Sequence, residues 1–143
     1  MNTTKNVPKS FLIVGILALL WNLMGMYQFY LGNYELESLR ASVSPEEFSI
    51  MESLPQWYSI LFGIAVLTGV VGAILLVLKK KVATLFFMIS LLTVLIIEIY
   101  WLLATNIMEV SGNSVVIMPL LVIAVAIFLY FYSKGAAGKG WLN

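Results

Sequence analysis

Cysteine and histidine are both missing from this chain of 143 residues. The absence of cysteine excludes disulfide bonds, a thiol nucleophile and thiolate-based metal or redox sites. Without histidine, zinc, haem and copper sites lose their usual nitrogen ligand, and acid–base chemistry at neutral pH would fall to a carboxylate or a tyrosine. Nucleotide-binding glycine loops, HExxH and GxSxG are absent as well. We therefore expect a protein that is not an enzyme, with no catalytic residues, no metal and no cofactor.

Charge is also scarce, because only 10% of the residues are charged while 62% are hydrophobic. Soluble domains are about 25% charged, so this chain could not cover its apolar surface in water. The net charge of +1 gives no basic excess of the kind that indicates a nucleic-acid partner. The composition therefore predicts an integral membrane protein whose first partner is the lipid bilayer.

Four apolar stretches are long enough to cross a membrane, for which about 20 residues are needed. They are residues 11–31, 57–78, 82–104 and 115–133, and the third alone contains a charge, Glu98. The first stretch is longer than the apolar core of a signal peptide, about 7 to 15 residues, and we interpret it as a retained helix. The chain is predicted to be one all-α membrane domain, residues 1–143, with four transmembrane helices.

The lysines fall on one side of this arrangement. Short loops rich in lysine and arginine stay in the cytoplasm. Seven lysines precede helix one, join helices two and three, or follow helix four: Lys5, Lys9, Lys79, Lys80, Lys81, Lys134 and Lys139. The opposite side has Arg40 as its basic residue. This pattern predicts an up-down antiparallel bundle in the cell membrane, multi-pass, with both termini cytoplasmic.

The outer loop between helices one and two, residues 32–56, is the longest polar segment. Its sequence Ser44-Pro45-Glu46-Glu47 is typical of a capped helix start, with serine as the cap and proline at the first helical position. We expect a short interfacial helix there, with Phe48, Ile50 and Met51 facing the membrane. A connector lying on the bilayer is favoured over a substrate lid.

Three polar residues within the spans are candidates for an intramembrane or binding site. Glu98 lies about 24 Å along its helix at 1.5 Å per residue. An ionisable residue at such a place serves either transport of a solute or proton, or a structural hydrogen bond. Asn22 lies about 16 Å into helix one, where it either joins helices or contacts a substrate. Gln28 lies at about the depth of Glu98, and the two meet if helices one and three face each other.

Small residues recur along helix two. Ala65, Gly69 and Ala73 follow one another at a spacing of four residues, and Gly72 adjoins them. In lipid, where no hydrophobic force drives helices together, small residues let two backbones approach closely. We expect these residues to form a helix-packing seam, against a helix of the same chain or of a second copy.

The order of these landmarks resembles a family of small bacterial four-helix membrane proteins that automatic annotation often calls sugar transporters. The segments that carry the resemblance are residues 5–11 (KNVPKSF), 19–25 (LLWNLMG), 79–81 (KKK), 118–119 (MP) and 139–142 (KGWL). The resemblance implies a four-helix fold in the bacterial inner (plasma) membrane. It brings no set of substrate-binding residues with it.

Two functions are open at this point. The first is a transporter or channel subunit for a small neutral solute, indicated by the resemblance and by a polar line of Asn22, Gln28 and Glu98. Because four helices fill their own centre, such a pathway would require a homo-oligomer. The second is a non-catalytic accessory or structural protein that binds another membrane protein or lipid. Access of solvent to Asn22 would discriminate between them.

Overall fold

The computed structural model describes residues 7–143, so Lys5 lies outside the described part. Within residues 7–143 the regular elements are helices, and no strand is present. The α-helices are α1 (Lys9–Tyr34), α2 (Pro45–Glu52), α3 (Gln56–Val77), α4 (Ala83–Ile99), α5 (Ile107–Ser111) and α6 (Ile117–Gly138). Short 3-10 turns occupy Leu36–Ser42 and Asn113–Val116, and a π-helical turn, Tyr100–Ala104, continues α4.

Among the described residues, four helices are long and apolar enough to cross a membrane, as predicted. They are Lys9–Tyr34, Gln56–Val77, Ala83–Ala104 and Asn113–Gly138. The first and last extend beyond the predicted limits of 11–31 and 115–133. Hydropathy marks the part of a helix that suits hydrocarbon, whereas the backbone hydrogen bonds continue past it into polar surroundings.

The long helices pack in the order in which they follow one another. Helix α3 contacts both α1 and α4, and α4 contacts α6. Along α1 and α3, Gly15 faces Val77 and Phe29 faces Gly63. The beginning of α1 therefore lies beside the end of α3.

A buried apolar cluster lies where the beginnings of α1 and α4 meet the ends of α3 and α6. It includes Phe11, Leu76, Ala83, Ala136 and Leu142, each at most 3% exposed. We call this region the lysine end, because the lysines of the described residues flank it: Lys9, Lys79, Lys80, Lys81, Lys134 and Lys139. Away from this cluster, large apolar side chains on all four long helices are exposed. Such surfaces are typical of helices that lipid surrounds.

The short helix α2 forms where the sequence predicts it. The Ser44 hydroxyl accepts a hydrogen bond from the Glu47 backbone N–H at 3.1 Å, which caps the helix start. The prediction that Phe48 and Ile50 face the membrane is wrong, since they are only 2% and 8% exposed. They are buried within the protein because α2 packs against α5, a helix that the sequence analysis did not predict and whose Ile107 is also buried.

Candidate functional site

Three long helices meet at Gly69 of α3. A Cβ atom added there would overlap Asn22 Oδ1 of α1, and it would lie 2.8 Å from Asn22 Cγ and 3.4 Å from Ser90 Oγ of α4. The Asn22 oxygen thus takes the position toward which a Gly69 Cα hydrogen points, the geometry of a weak Cα–H···O hydrogen bond between helices. Any larger residue at this position would therefore require the Asn22 amide to move.

The polar side chains around Gly69 donate hydrogen bonds to backbone carbonyl oxygens. Ser90 Oγ donates a hydrogen bond to the Ala65 carbonyl oxygen at 2.8 Å, which joins α4 to α3. Asn22 Nδ2 donates to the Ala18 carbonyl oxygen at 2.8 Å within α1, and Thr93 Oγ1 donates to the Ser90 carbonyl oxygen at 2.9 Å. Since a polar group in apolar surroundings is unfavourable without a partner, these bonds allow the amide and hydroxyls to lie inside the bundle.

The remaining seam residues are buried as well. Ala65 is 3% exposed and Ala73 is not exposed at all. A Cβ atom added at Gly72 would lie 3.0 Å from the ring of Phe87 on α4. The small residues of α3 therefore lie against helices of the same chain, with α1 and α4 both in contact near Gly69.

Ser90 and Thr93 were not singled out from the sequence. A serine or threonine within an apolar helix often bonds its own backbone, so the residue type alone does not show that it joins two helices. The sequence does place Ser90 and Thr93 three residues apart, on one face of the third span. Hydroxyl groups on one face can donate hydrogen bonds to backbone carbonyl oxygens of a neighbouring helix, as Ser90 does to Ala65.

Glu98 lies in the last turn of α4, far along the helix from the lysine end. Its side chain is partly exposed, and two residues further along the chain the ring centre of Tyr100 lies 6.0 Å from that of the buried Tyr58 of α3. Among the described residues, the glutamate side chains that accept hydrogen bonds belong to Glu35, Glu37 and Glu47. Glu98 is not one of them, and its role, in transport or in a structural hydrogen bond, stays a prediction.

The candidate residues have different surroundings. Gln28 is exposed on α1. The well-packed pairs of long helices are α1 with α3, α3 with α4, and α4 with α6, so α3 lies next to both α1 and α4. Asn22 contacts the centre of α3, whereas Glu98 lies in the last turn of α4. The structure does not join Asn22, Gln28 and Glu98 into one line.

The segment after α6 closes the lysine end of the bundle. Phe11 of α1 packs edge-on against Trp141, with ring centres 5.8 Å apart, and stacks with Tyr132 at 6.2 Å. Leu142 is 3% exposed and belongs to the apolar cluster. The first long helix and the end of the last are thereby joined by aromatic contacts, a feature that the sequence analysis missed.

Arg40 is paired with Glu37 in the segment between α1 and α2. Its Nε and Nη2 atoms donate hydrogen bonds to the two carboxylate oxygens at 2.6 and 3.2 Å. The hydrogen bond from Arg40 lowers the pKa of Glu37, and the same bond raises the pKa of Arg40. The guanidinium also lies 4.1 Å from the ring centre of Phe48. Arg40 is therefore neutralised locally, in contrast to the lysines.

Two grooves open on the surface of the described residues. One, of about 550 Å³, has an apolar lining formed by Trp57, Leu95, Ile96, Ile99, Tyr100, Leu103 and Ala104. The other, of about 470 Å³, lies between α2 and α5 and is lined by Pro45, Glu46, Ser49, Ile50, Ser53, Asn106 and Val110. Neither groove is lined by Asn22, Gln28 or Glu98. Residues 7–143 also hold no group of three side chains suited to bind a metal ion.

No protein-family model matches the chain, and neither a curated protein nor a solved structure matches it. Its class is therefore defined by the fold. The described chain is all-helical, and it contains four helices with the length and apolar composition of membrane spans. These features are compatible with a multi-pass membrane protein.

Proposed function

We propose that the chain crosses the bacterial inner membrane four times as an up-down antiparallel bundle, with both termini in the cytoplasm. The antiparallel order is supported by contacts of Gly15 with Val77 and of Phe29 with Gly63. The sidedness is supported by the lysines that flank one end of the bundle and by the pairing of Arg40 with Glu37 near the other. Helix α2, with its capped start, would lie at the outer membrane surface.

Within that membrane, the protein acts as a non-catalytic accessory or structural subunit that binds another membrane protein. The observation that carries this proposal is the packed centre at Gly69, where an added Cβ atom would overlap the Asn22 amide and touch Ser90 Oγ. A solute could not pass between α1, α3 and α4 at this level without separating the helices. Asn22 is better suited to helix packing than to substrate binding, because its amide nitrogen bonds Ala18 and its oxygen lies against Gly69.

Helix α1 offers one surface suited to a partner. Only 17% of the residues in its most apolar stretch are buried, against 44% for α3, and α6, at 11%, is also largely uncovered. Leu17 and Met24 are 59% and 63% exposed, and they lie two turns apart on the same helix. Apolar side chains at this spacing can pack into the grooves of a second membrane helix.

Site-specific crosslinking tests the proposal. Because the chain has no cysteine, Leu17→Cys introduces a single thiol that can carry a photo-reactive crosslinker in native membranes. We expect a discrete adduct with one other membrane protein. The adjacent variant Ala18→Cys is the matched control, since Ala18 is only 5% exposed and should give little adduct. Equal adducts from both positions, or adducts with many unrelated proteins, would contradict a specific partner.

A transporter subunit for a small neutral solute is the second candidate, and Glu98 is the observation that favours it. Its carboxyl group is partly exposed within a predicted span and has no hydrogen-bond partner among the described residues. An ionisable side chain inside the hydrocarbon region is unfavourable in free energy, so its presence generally indicates a function. The resemblance to small proteins often called sugar transporters supports the same candidate. The pathway would then run between copies, since the centre of one copy is filled.

Osmotic swelling of liposomes separates the two candidates. The accessory proposal predicts that vesicles containing the purified chain swell in sugar solutions no faster than protein-free vesicles. Faster swelling that disappears in Glu98→Gln would instead support the transporter subunit. Gln is the suitable change because it keeps the size and hydrogen-bonding capacity of the side chain and removes its ability to ionise.

A further inference from the structure

Backbone hydrogen bonds bring the lysines of two segments together at the lysine end. The Lys81 N–H donates to the main-chain oxygen of Asn143 at 2.8 Å, and the Asn143 N–H donates to the Lys79 carbonyl oxygen at 2.7 Å. The turn between α3 and α4 is thus joined to the segment after α6, which begins at Lys139. We call the resulting group the lysine patch: Lys79, Lys80, Lys81, Lys134 and Lys139.

The lysine patch has no acidic neighbour in sequence on any of its segments. All seven acidic residues lie elsewhere: Glu35, Glu37, Glu46, Glu47, Glu52, Glu98 and Glu109. Within residues 7–143 the ion pair that forms is Arg40 with Glu37, away from the patch. Four of the patch lysines have exposed side chains, Lys79 being partly buried. None of the five patch lysines forms an ion pair within the described residues, so the patch carries an excess of positive charge.

Aromatic side chains border the patch on the bundle side. Lys139 Nζ lies 4.7 Å from the ring centre of Trp141, and Lys134 Nζ lies 5.8 Å from that of Tyr130. Tryptophan and tyrosine favour the depth of the lipid headgroups, because one part of each ring is apolar and another is polar. In the proposed membrane crossing, lysines beside these rings would lie at the depth of the lipid phosphates.

We propose that the lysine patch binds the headgroups of anionic phospholipids in preference to zwitterionic ones. Basic side chains clustered next to membrane helices attract anionic lipid, and each lysine near the surface contributes about fivefold in affinity. Lysine suits this role because it offers a compact charge on a flexible stem that can follow a mobile headgroup. The inference rests on the proposed membrane crossing and not on the identity of a protein partner.

Native mass spectrometry of the whole chain in neutral detergent tests the inference, with phosphatidylglycerol and phosphatidylcholine as the probes. We expect phosphatidylglycerol to remain bound more tightly. The double variant Lys80→Gln/Lys81→Gln should bind it about 25-fold more weakly, following the contribution of two lysines. Lys80→Arg/Lys81→Arg keeps both charges and should retain binding. Arg40→Gln, which removes a charge from the opposite end, should leave binding unchanged.

Several outcomes would overturn the inference. Equal affinity for the two lipids would do so, and so would full retention of phosphatidylglycerol by the double glutamine variant. Displacement of the lipid by millimolar inorganic phosphate would indicate a general anion site instead. If the glutamine variant does not fold, the wild-type chain still decides, because binding that does not weaken from about 0.05 to 0.5 M salt is not electrostatic. Failure of the crosslinking at Leu17 would leave these measurements unaffected.

Discussion

Gly69 shows how a single missing side chain positions three helices. The Asn22 amide fills the space beside its Cα, and Ser90 approaches from the other helix. Replacing Gly69 by leucine should reduce the free energy of unfolding by about 1 to 3 kcal/mol, the usual effect of overpacking. Thermal unfolding in detergent is the measurement. Val71→Leu is the control, because Val71 is 37% exposed and should accept the extra carbon.

A second substitution at the same contact sharpens this prediction. Gly69→Ala alone should destabilise the bundle, since its methyl group overlaps Asn22 Oδ1, and Asn22→Ala in the same chain should relieve part of that loss. If the effects of Gly69→Ala and Asn22→Ala on stability are additive, the contact of Asn22 with Gly69 does not limit the residue size at position 69. Equal stability of Gly69→Leu and Val71→Leu would lead to the same conclusion.

The sequence predicts some of these residues and not their partners. The spacing of Ala65, Gly69 and Ala73 indicates a surface for close helix contact, because the periodicity of a helix places them on one face. The contacts with Asn22 and Ser90 depend on how far each helix slides along its neighbour. Side chains from all three helices determine that register together, so a local pattern in one helix cannot specify it.

At the scale of elements, the segment after α6 is joined to the other helices by the contact of Trp141 with Phe11, by the buried Leu142, and by two backbone bonds of Asn143. Trp141→Ala removes the ring that packs on Phe11 and should lower the free energy of unfolding by about 2 kcal/mol, less than the 3 to 5 typical of a fully buried tryptophan. Hydrogen exchange gives a local measurement. The Lys81 amide, which donates to Asn143, should exchange faster in the variant.

An aromatic residue of α6 provides the control for that experiment. Phe131 is 59% exposed, so Phe131→Ala should leave exchange at Lys81 unchanged. Unaltered exchange in Trp141→Ala would mean that the backbone bonds hold the segment without the ring.

Neither this segment nor α5 follows from hydrophobic periodicity, because both are too short to show it and are stabilised by what they contact. Helix α2 was predictable, since its capping residues are local.

At the scale of the whole molecule, the charge distribution predicts the orientation. Reporter fusions after Gln56 and after Asn143 should report opposite compartments, with the second in the cytoplasm, because the lysines flank the same end as Asn143. The paired measurement uses alkaline phosphatase, which is active outside, and green fluorescent protein, which is fluorescent inside. A shared compartment for the two positions would rule out the proposed topology.

The number of long apolar helices can be predicted from the sequence because each span has its own hydropathy signal.

The contact of Phe11 with Trp141 also has a consequence for the time course of assembly. The two residues are about 130 positions apart in the chain, and at about 5 to 20 residues per second the ribosome needs roughly 7 to 26 seconds to pass from one to the other. During that interval α1 can already pack on α3, and α3 on α4, while the face of Phe11 that contacts Tyr132 and Trp141 is still uncovered. Closure of the lysine end therefore cannot precede the synthesis of Trp141, and until then the bundle lacks the ring that covers Phe11.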